Sequence, residues 1–99
     1  MKIYQETDGS TLNLKLEGRL DTTTAPELEA VVKSSLEGVA KVIFDFEKLE
    51  YLSSAGLRVL LAAQKQMNRQ GDMVVRHVNE TIMEVFEMTG FVDILDIEA

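Results

Sequence analysis

The chain has 99 residues, so we expect one compact domain, residues 1–99, with no room for a second one. Ten Lys and Arg residues against 17 Asp and Glu residues give a net charge of -7, so direct binding of nucleic acid or of an anionic membrane surface is not expected. The chain has no Cys and one His, which excludes thiol chemistry and leaves too little imidazole for most transition-metal sites. We therefore expect neither a metal nor a cofactor.

The N-terminal residues and the overall hydropathy indicate where the protein works. Residues 1–6 lack the apolar run of a signal peptide, and no stretch approaches the roughly 20 consecutive apolar residues of a membrane span. Apolar residues make up 45% of the chain and charged residues 27%, which is typical of an ordinary globular domain. We expect a cytoplasmic protein.

The first 17 residues predict a β-hairpin. Asp8 and Gly9 separate two extended runs, residues 2–7 and 11–17, and Asp-Gly is a strong hairpin signal because Gly takes a positive φ without steric cost. In the second run, three leucines alternate with polar residues, which predicts a strand with one buried face. These leucines are Leu12, Leu14 and Leu16.

A first helix is predicted to begin near Thr24. Thr can cap a helix, Pro26 is tolerated in its first turn, and Glu27 can complete a capping box. Apolar residues then recur at helical spacing up to Leu36, and Gly38 marks the end of the helix.

The middle of the chain predicts a buried strand, a second helix and another strand. The two strands are the β-prone runs 42–44 and 73–75. The helix between them is preceded by Ser53 and Ser54, extends to about residue 70, and ends at Gly71.

The C-terminal part predicts a third helix and a last strand. Asn79 can cap this helix and Gly90 can close it, and residues 91–97 alternate weakly as a strand. The full order is β-β-α-β-α-β-α-β. We therefore expect an α/β fold with a mixed sheet of four to five strands and helices packed against it.

The sequence shows no arrangement of residues that is typical of a catalytic site, and its acids are dispersed. His77 has no Cys, His or Asp at a metal-like spacing, and the acids at 45–50 are interpreted as a strand end and a solvated loop. No phosphate-binding glycine loop and no G-x-S-x-G elbow occurs. An acid-base enzyme would need a cleft with a shifted carboxylate among Asp21, Asp45 and Glu50. We do not expect an enzyme.

The junction at Ser53 and Ser54 places two hydroxyls where a strand leads into a helix. One of them could simply cap the helix by accepting a hydrogen bond from a free backbone N–H. Alternatively, a phosphorylated hydroxyl here would gain about -1.5 to -2 charges at a site whose N–H groups and helix dipole favour anions. Such a phosphate could change the surface that a partner contacts without unfolding the chain.

Four segments of the sequence are informative together: residues 17–21, 44–46, 51–57 and 85–91. They resemble one protein family, the STAS domain of bacterial anti-sigma-factor antagonists. Residues 51–57 (YLSSAGL) resemble its phosphorylation motif, and residues 17–21 (EGRLD) resemble the turn after its second strand. Residues 44–46 (FDF) resemble its third strand, and residues 85–91 (VFEMTGF) resemble the helix before its last strand. The resemblance covers nearly the whole chain, in order and at matching spacings.

The resemblance assigns a role to each position of the Ser motif. The family pattern is Asp-Ser-(Ser or Thr)-Gly-Leu, and its phosphate is carried by the Ser after the Asp. This implies Ser54 as the phosphorylation site and Ser53 as the second choice, with Ser53 in the place of the family's Asp. Asp21 corresponds to a polar neighbour of the switch. Gly56 and Leu57 match the end of the motif.

The helix after Ser54 has one further feature, a cationic stripe. Arg58, Lys65 and Arg69 fall within about 40° of one another at 100° per residue, and residues 51–70 contain no Asp or Glu. The apolar residues of the helix lie largely on the opposite side. The stripe is either a solvated polar face or a surface for a partner that also contacts Ser54.

The resemblance implies a switchable binding module. By this resemblance, we expect the unphosphorylated form to bind an anti-sigma factor, itself a serine kinase that uses ATP, and so to release a sigma factor. We expect phosphate on Ser54 to prevent this binding and a PP2C-type phosphatase to restore it. The alternative is a STAS subunit of a transporter or other regulatory complex that is never phosphorylated. The expected partner-binding residues are Asp21, Ser53, Ser54, Gly56, Leu57, Arg58 and Lys65.

Overall fold

A computed structural model describes all of residues 1–99 and contains three helices and five strands. No helix in it is both long enough and apolar enough to cross a membrane. A short 3-10 helix, Phe91–Asp93, precedes the last strand. The other elements are β1 Lys2–Asp8, β2 Thr11–Leu20, α1 Ala25–Ser35, β3 Lys41–Leu52, α2 Ser54–Met67, β4 Asp72–Arg76, α3 Glu80–Thr89 and β5 Asp96–Ile97.

The strands form one mixed sheet in the order β1-β2-β3-β4-β5. β1 is antiparallel to β2, whereas the other neighbouring strands are parallel and are connected through the helices. Alternate residues of β2, such as Leu14, pack in one hydrophobic cluster with Leu28 of α1, Leu60 of α2 and Phe86 of α3. This confirms the predicted fold class and the predicted element order.

The sheet face opposite the helices is mostly polar because side chains alternate between faces along a strand. One row across this face contains alternating charges. The backbone register pairs Tyr4 with Lys15, Lys15 with Asp45, and Asp45 with Arg76.

The strand β3 is longer than predicted, and the interpretation of residues 47–50 as a loop is wrong. Leu49 and Leu52 are buried, and β2 continues beside β3 as far as Leu20. The pairing of β2 with β3 shifts register twice, between Lys15 and Glu17 and between Gly18 and Arg19. These bulges bend the strand while keeping its apolar residues on the helix side.

The end of the chain also differs from its prediction, because residues 91–97 do not form one strand. Gly90 closes α3 in the left-handed conformation, with φ 79. The Leu95 N–H donates to the Phe91 carbonyl at 2.9 Å, so the segment makes a helical turn first. The strand that remains pairs only Asp96 and Ile97 with β4.

The N-cap predicted at Asn79 is present, and its side chain makes one local and one long-range hydrogen bond. Its Oδ1 accepts a hydrogen bond from the Ile82 N–H at 2.8 Å, and its Nδ2 donates to the Leu49 carbonyl at 3.2 Å. We expect Asn79→Ala to lower the free energy of unfolding by about 1 to 2 kcal/mol in urea denaturation, because both bonds are lost. Thr81→Ala, at an exposed position of the same turn, is the control and should cost less than about 0.5 kcal/mol. Equal costs for the two variants would contradict this role of Asn79.

Candidate functional site

Ser53 and Ser54 occupy different environments at the junction of β3 and α2. Ser53 is the N-cap residue in an extended conformation, and its N–H donates to the Leu20 carbonyl at 2.9 Å. The alternative in which a Ser hydroxyl simply caps this helix is not realised at Ser53, because Ser53 Oγ is buried and has no hydrogen-bond partner. Ser54 is the first residue of α2 and is exposed.

The N-terminus of α2 is open to an anion at Ser54. The first N–H groups of a helix have no intrahelical partner, and here the first of the intrahelical bonds runs from the Leu57 N–H to the Ser53 carbonyl at 3.0 Å. The first turn contains no acidic residue that could offset the helix dipole. A phosphate on the Ser54 hydroxyl would therefore lie at the positive end of this helix.

Gly56 and Leu57 hold the start of α2 against the sheet. A Cβ at Gly56 would lie 2.6 Å from Leu20 Cγ and 2.7 Å from Leu52 Cδ1, so only Gly permits this close approach. Leu57 is buried in the core. These two predicted partner-binding residues thus lie on the core side of α2 and hold its first turn, with Ser54, in position.

Asp21 lies one residue beyond Leu20, whose carbonyl binds the N–H of Ser53. Its Oδ1 accepts hydrogen bonds from the Thr23 N–H at 3.0 Å, the Thr23 hydroxyl at 2.8 Å and the Thr24 N–H at 3.1 Å. The Thr23 hydroxyl and these backbone groups hold the pKa of Asp21 below its usual value. The carboxylate therefore stays ionised beside the predicted switch.

The helix α1 begins at Ala25 as predicted, but the predicted side-chain cap is wrong. Thr24 has helical backbone angles and makes no side-chain cap bond, so the expected capping box with Glu27 does not form. Instead the Thr24 hydroxyl donates to the Arg19 carbonyl at 2.7 Å. The Asp21 carboxylate binds the N–H groups of Thr23 and Thr24, which lie just before the helix.

The Asp21 carboxylate offers a stability test with a defined pH dependence. Asp21→Ala should lower the midpoint of urea denaturation more than Asp21→Asn, since Asn keeps one acceptor oxygen. A carboxyl with a lowered folded pKa stabilises above its unfolded value of 3.8 and loses this effect as the pH falls through the folded pKa. The advantage of the parent chain over Asp21→Asn should therefore shrink as the pH is lowered from about 7 to about 3. A stability advantage over Asp21→Asn that stays constant or grows as the pH falls would contradict this role of the Asp21 carboxylate.

Arg19 is a residue of this site that the sequence interpretation missed. Its guanidinium lies 4.2 Å from the centroid of the Tyr51 ring, and its Nε lies 3.7 Å from Asp21 Oδ2. The second register shift pairs Arg19 with Tyr51 across the sheet. Because bulges are not visible in hydrophobic periodicity, the sequence contained no signal for this pair.

Two residues of the predicted cationic stripe lie on α2, and the third does not. Arg58 and Lys65 are exposed, and neither takes part in the four ion pairs of the molecule. Arg69 lies beyond the end of the helix at Met67, so the stripe on α2 is shorter than predicted. Arg58 also lines a shallow groove between α1 and α2 with Glu29.

The chain is similar to known proteins over almost its whole length. The family model described as the STAS domain matches residues 2–99. BtrV of Bordetella bronchiseptica, named as an anti-sigma factor antagonist, is 34% identical over 99 residues, which is 98% of this chain and 85% of that protein. The anti-sigma-B factor antagonist of Staphylococcus aureus is 27% identical over 98% of this chain and 92% of its own length.

Solved structures show the same fold. The anti-sigma factor antagonist SpoIIAA in its unphosphorylated form superposes with a TM-score of 0.78 and 19% identity, over 99% of this chain and 87% of that one. The phosphorylated form from Bacillus gives a TM-score of 0.77 and 20% identity, over 99% and 92% of the two chains. The family match over residues 2–99 and the identity to BtrV establish that this chain belongs to the STAS domain family.

Proposed function

We propose that the chain is an anti-sigma factor antagonist that phosphorylation of Ser54 switches off. In this proposal the unphosphorylated form binds an anti-sigma factor that is also a serine kinase, and a sigma factor is released in the cytoplasm. A PP2C-type phosphatase reverses the modification. The names of the relatives support the class of partner, and the exposed Ser54 hydroxyl at the open N-terminus of α2 carries the assignment of the switch.

The environments of the two serines favour Ser54 over Ser53 as the acceptor. A kinase must reach the hydroxyl oxygen, and Ser53 Oγ is enclosed by the protein. Ser54 is exposed on the first turn, so it can enter a kinase active site without a change of the backbone. Substitution of the family's Asp by Ser53 therefore leaves the acceptor itself in place.

The surface around Ser54 fits a partner with acidic groups. Arg58 and Lys65 point away from the core on the same helix and have no acidic neighbour of their own in ion-pair distance. Beside Asp21, the Arg19 guanidinium stacks on the partly exposed Tyr51 ring. A phosphate on Ser54 would have to be desolvated when the partner binds, and it would repel acidic groups of the partner.

Incubation with the cognate kinase and ATP, followed by peptide mass spectrometry, tests the acceptor. We expect one phosphate, on Ser54, in the parent chain and in Ser53→Ala, and none in Ser54→Ala. The two variants form a matched pair, because each removes one hydroxyl from the same junction. Phosphate on Ser53, or no phosphate on the parent chain, would overturn the assignment.

The second candidate is a STAS subunit that binds its partner constitutively within a transporter or another regulatory complex. Ser53 in the place of the family's Asp is the observation that favours it. This candidate predicts that a stable complex is purified from the source cell, that its Ser54 is never modified, and that Ser54→Glu leaves the complex intact.

A further inference from the structure

The only His of the chain lies against two carboxylates at the C-terminal end of β4. His77 follows β4 directly, and its Nδ1 lies 2.8 Å from Asp45 Oδ1. Glu47, two residues after Asp45 on β3, also brings its carboxylate close to His77. Ligand atoms of all three residues lie within 4.8 Å of one another. We propose that Asp45, Glu47 and His77 bind a divalent transition-metal ion such as Zn²⁺.

The fold positions the three side chains through backbone contacts. Asp45 is paired with Arg76 across the parallel strands, so the residue after Arg76 comes beside it. The Glu47 N–H donates to Asp45 Oδ1 at 3.0 Å, which turns the chain at the bulge and keeps both carboxylates on one side. His77 has φ 58, and this left-handed turn directs its ring back towards β3.

The donor set is suited to zinc in its type and number. One imidazole nitrogen and two carboxylate oxygens are ordinary zinc ligands, and three protein ligands leave a fourth position for water. Mg²⁺ prefers an octahedral shell of oxygens and keeps most of its water, so an imidazole selects against it. The metal would take the place of the proton between His77 Nδ1 and Asp45 Oδ1, and this proton would pass to solvent.

Charges around the cluster set the strength of binding. Partial burial alone would raise the pKa of Asp45, but the bonds from His77 and the Glu47 N–H and the nearby Lys15 charge lower it, so the carboxylate is ionised. The bond to Asp45 raises the pKa of His77, so a proton competes with the metal at acidic pH. Lys15 and Arg76 are paired on either side of Asp45 and repel a cation. We therefore expect weaker binding than in a closed structural zinc site.

The single His makes the test specific, since its ring signals in a proton–nitrogen NMR spectrum need no further assignment. On titration of the full chain with ZnCl₂ at neutral pH, we expect the His77 ring signals to shift and saturate at one ion per chain. The same concentrations of MgCl₂ should leave them unchanged. Glu47→Gln should weaken zinc binding at least about 10-fold, because a ligand is lost.

Glu50→Gln removes another exposed carboxylate from the same strand and is the matched control, with unchanged affinity expected. His77→Gln should abolish the calorimetric binding signal, and circular dichroism shows whether each variant is folded. The proposal is overturned if zinc leaves the His77 ring signals in place, or if Glu47→Gln binds as tightly as Glu50→Gln. Neither result depends on a kinase or an anti-sigma factor, so the proposed function stands or falls separately.

Discussion

Ser54→Glu is expected to weaken binding of the cognate anti-sigma factor by at least about 100-fold, which corresponds to about 2.7 kcal/mol. The added carboxylate lies at the N-terminus of α2, where the helix dipole stabilises it in the free protein. In the complex the same charge must lose its water at the interface and meets the acidic groups that Arg58 and Lys65 attract. Isothermal titration calorimetry with the purified anti-sigma factor measures the loss.

Two variants separate the position of the charge from the charge itself. Ser34→Glu adds the same charge at an exposed position near the far end of α1 and should bind like the parent chain. Ser54→Ala should keep the parent affinity and lose only the response to kinase and ATP. The switch at Ser54 is refuted if Ser54→Glu binds as tightly as Ser34→Glu while both are folded.

The local signals in the sequence predicted the elements well where one residue decides the local structure. Asp8 and Gly9 predicted the hairpin, Asn79 predicted the cap of α3, and Gly90 predicted its end. Each of these effects acts within a few residues, so a single sequence contains it.

The predictions that were wrong concern segments whose structure depends on residues far away in the chain. Glu47 and Glu50 have no strand pattern of their own, and only the neighbouring β2 with its bulges makes them part of β3. Thr24 was expected to cap α1 with its side chain, but its hydroxyl donates to the Arg19 carbonyl in the preceding turn instead. In both cases the sequence showed polar residues and could not show which backbone they would meet.

The candidate sites show the same difference between features that local sequence sets and features that distant residues set. Ser54 was found because a local motif marks the start of α2, and it stays a prediction until phosphate is located. His77 was not expected to be a metal ligand, because Asp45 is 32 positions away along the chain and comes beside it only through the pairing of β3 with β4. Gln64, a polar residue on the apolar side of α2, is buried because Asn68 accepts its hydrogen bond at 2.8 Å.

Gly71→Ala is expected to lower the free energy of unfolding by at least about 3 kcal/mol, more than an ordinary overpacked site. Gly71 comes just before β4 and crosses Ala40, which comes just before β3. A Cβ there would overlap the Ala40 carbonyl oxygen and lie 2.7 Å from its carbonyl carbon. That oxygen also accepts the Asp72 N–H at 2.9 Å, so the backbone cannot withdraw without breaking the first bond between the two strands.

Gly9→Ala provides the comparison, because it isolates the cost of backbone conformation. Gly9 has φ 62 and open space around its Cα, so Ala there should cost only about 1 to 2 kcal/mol. Thermal denaturation should show a fall in Tm of more than about 12 °C for Gly71→Ala and a clearly smaller fall for Gly9→Ala. Similar shifts would mean that the strands separate easily at Ala40 and would contradict the prediction.

The same variant also separates stability from binding, because Gly71 lies at the opposite end of α2 from Ser54. At a low temperature at which the Gly71→Ala variant is still folded, it should bind the anti-sigma factor with the affinity of the parent chain. The rigid start of the parallel strands would then serve stability alone, whereas the exposed first turn of α2 serves the switch.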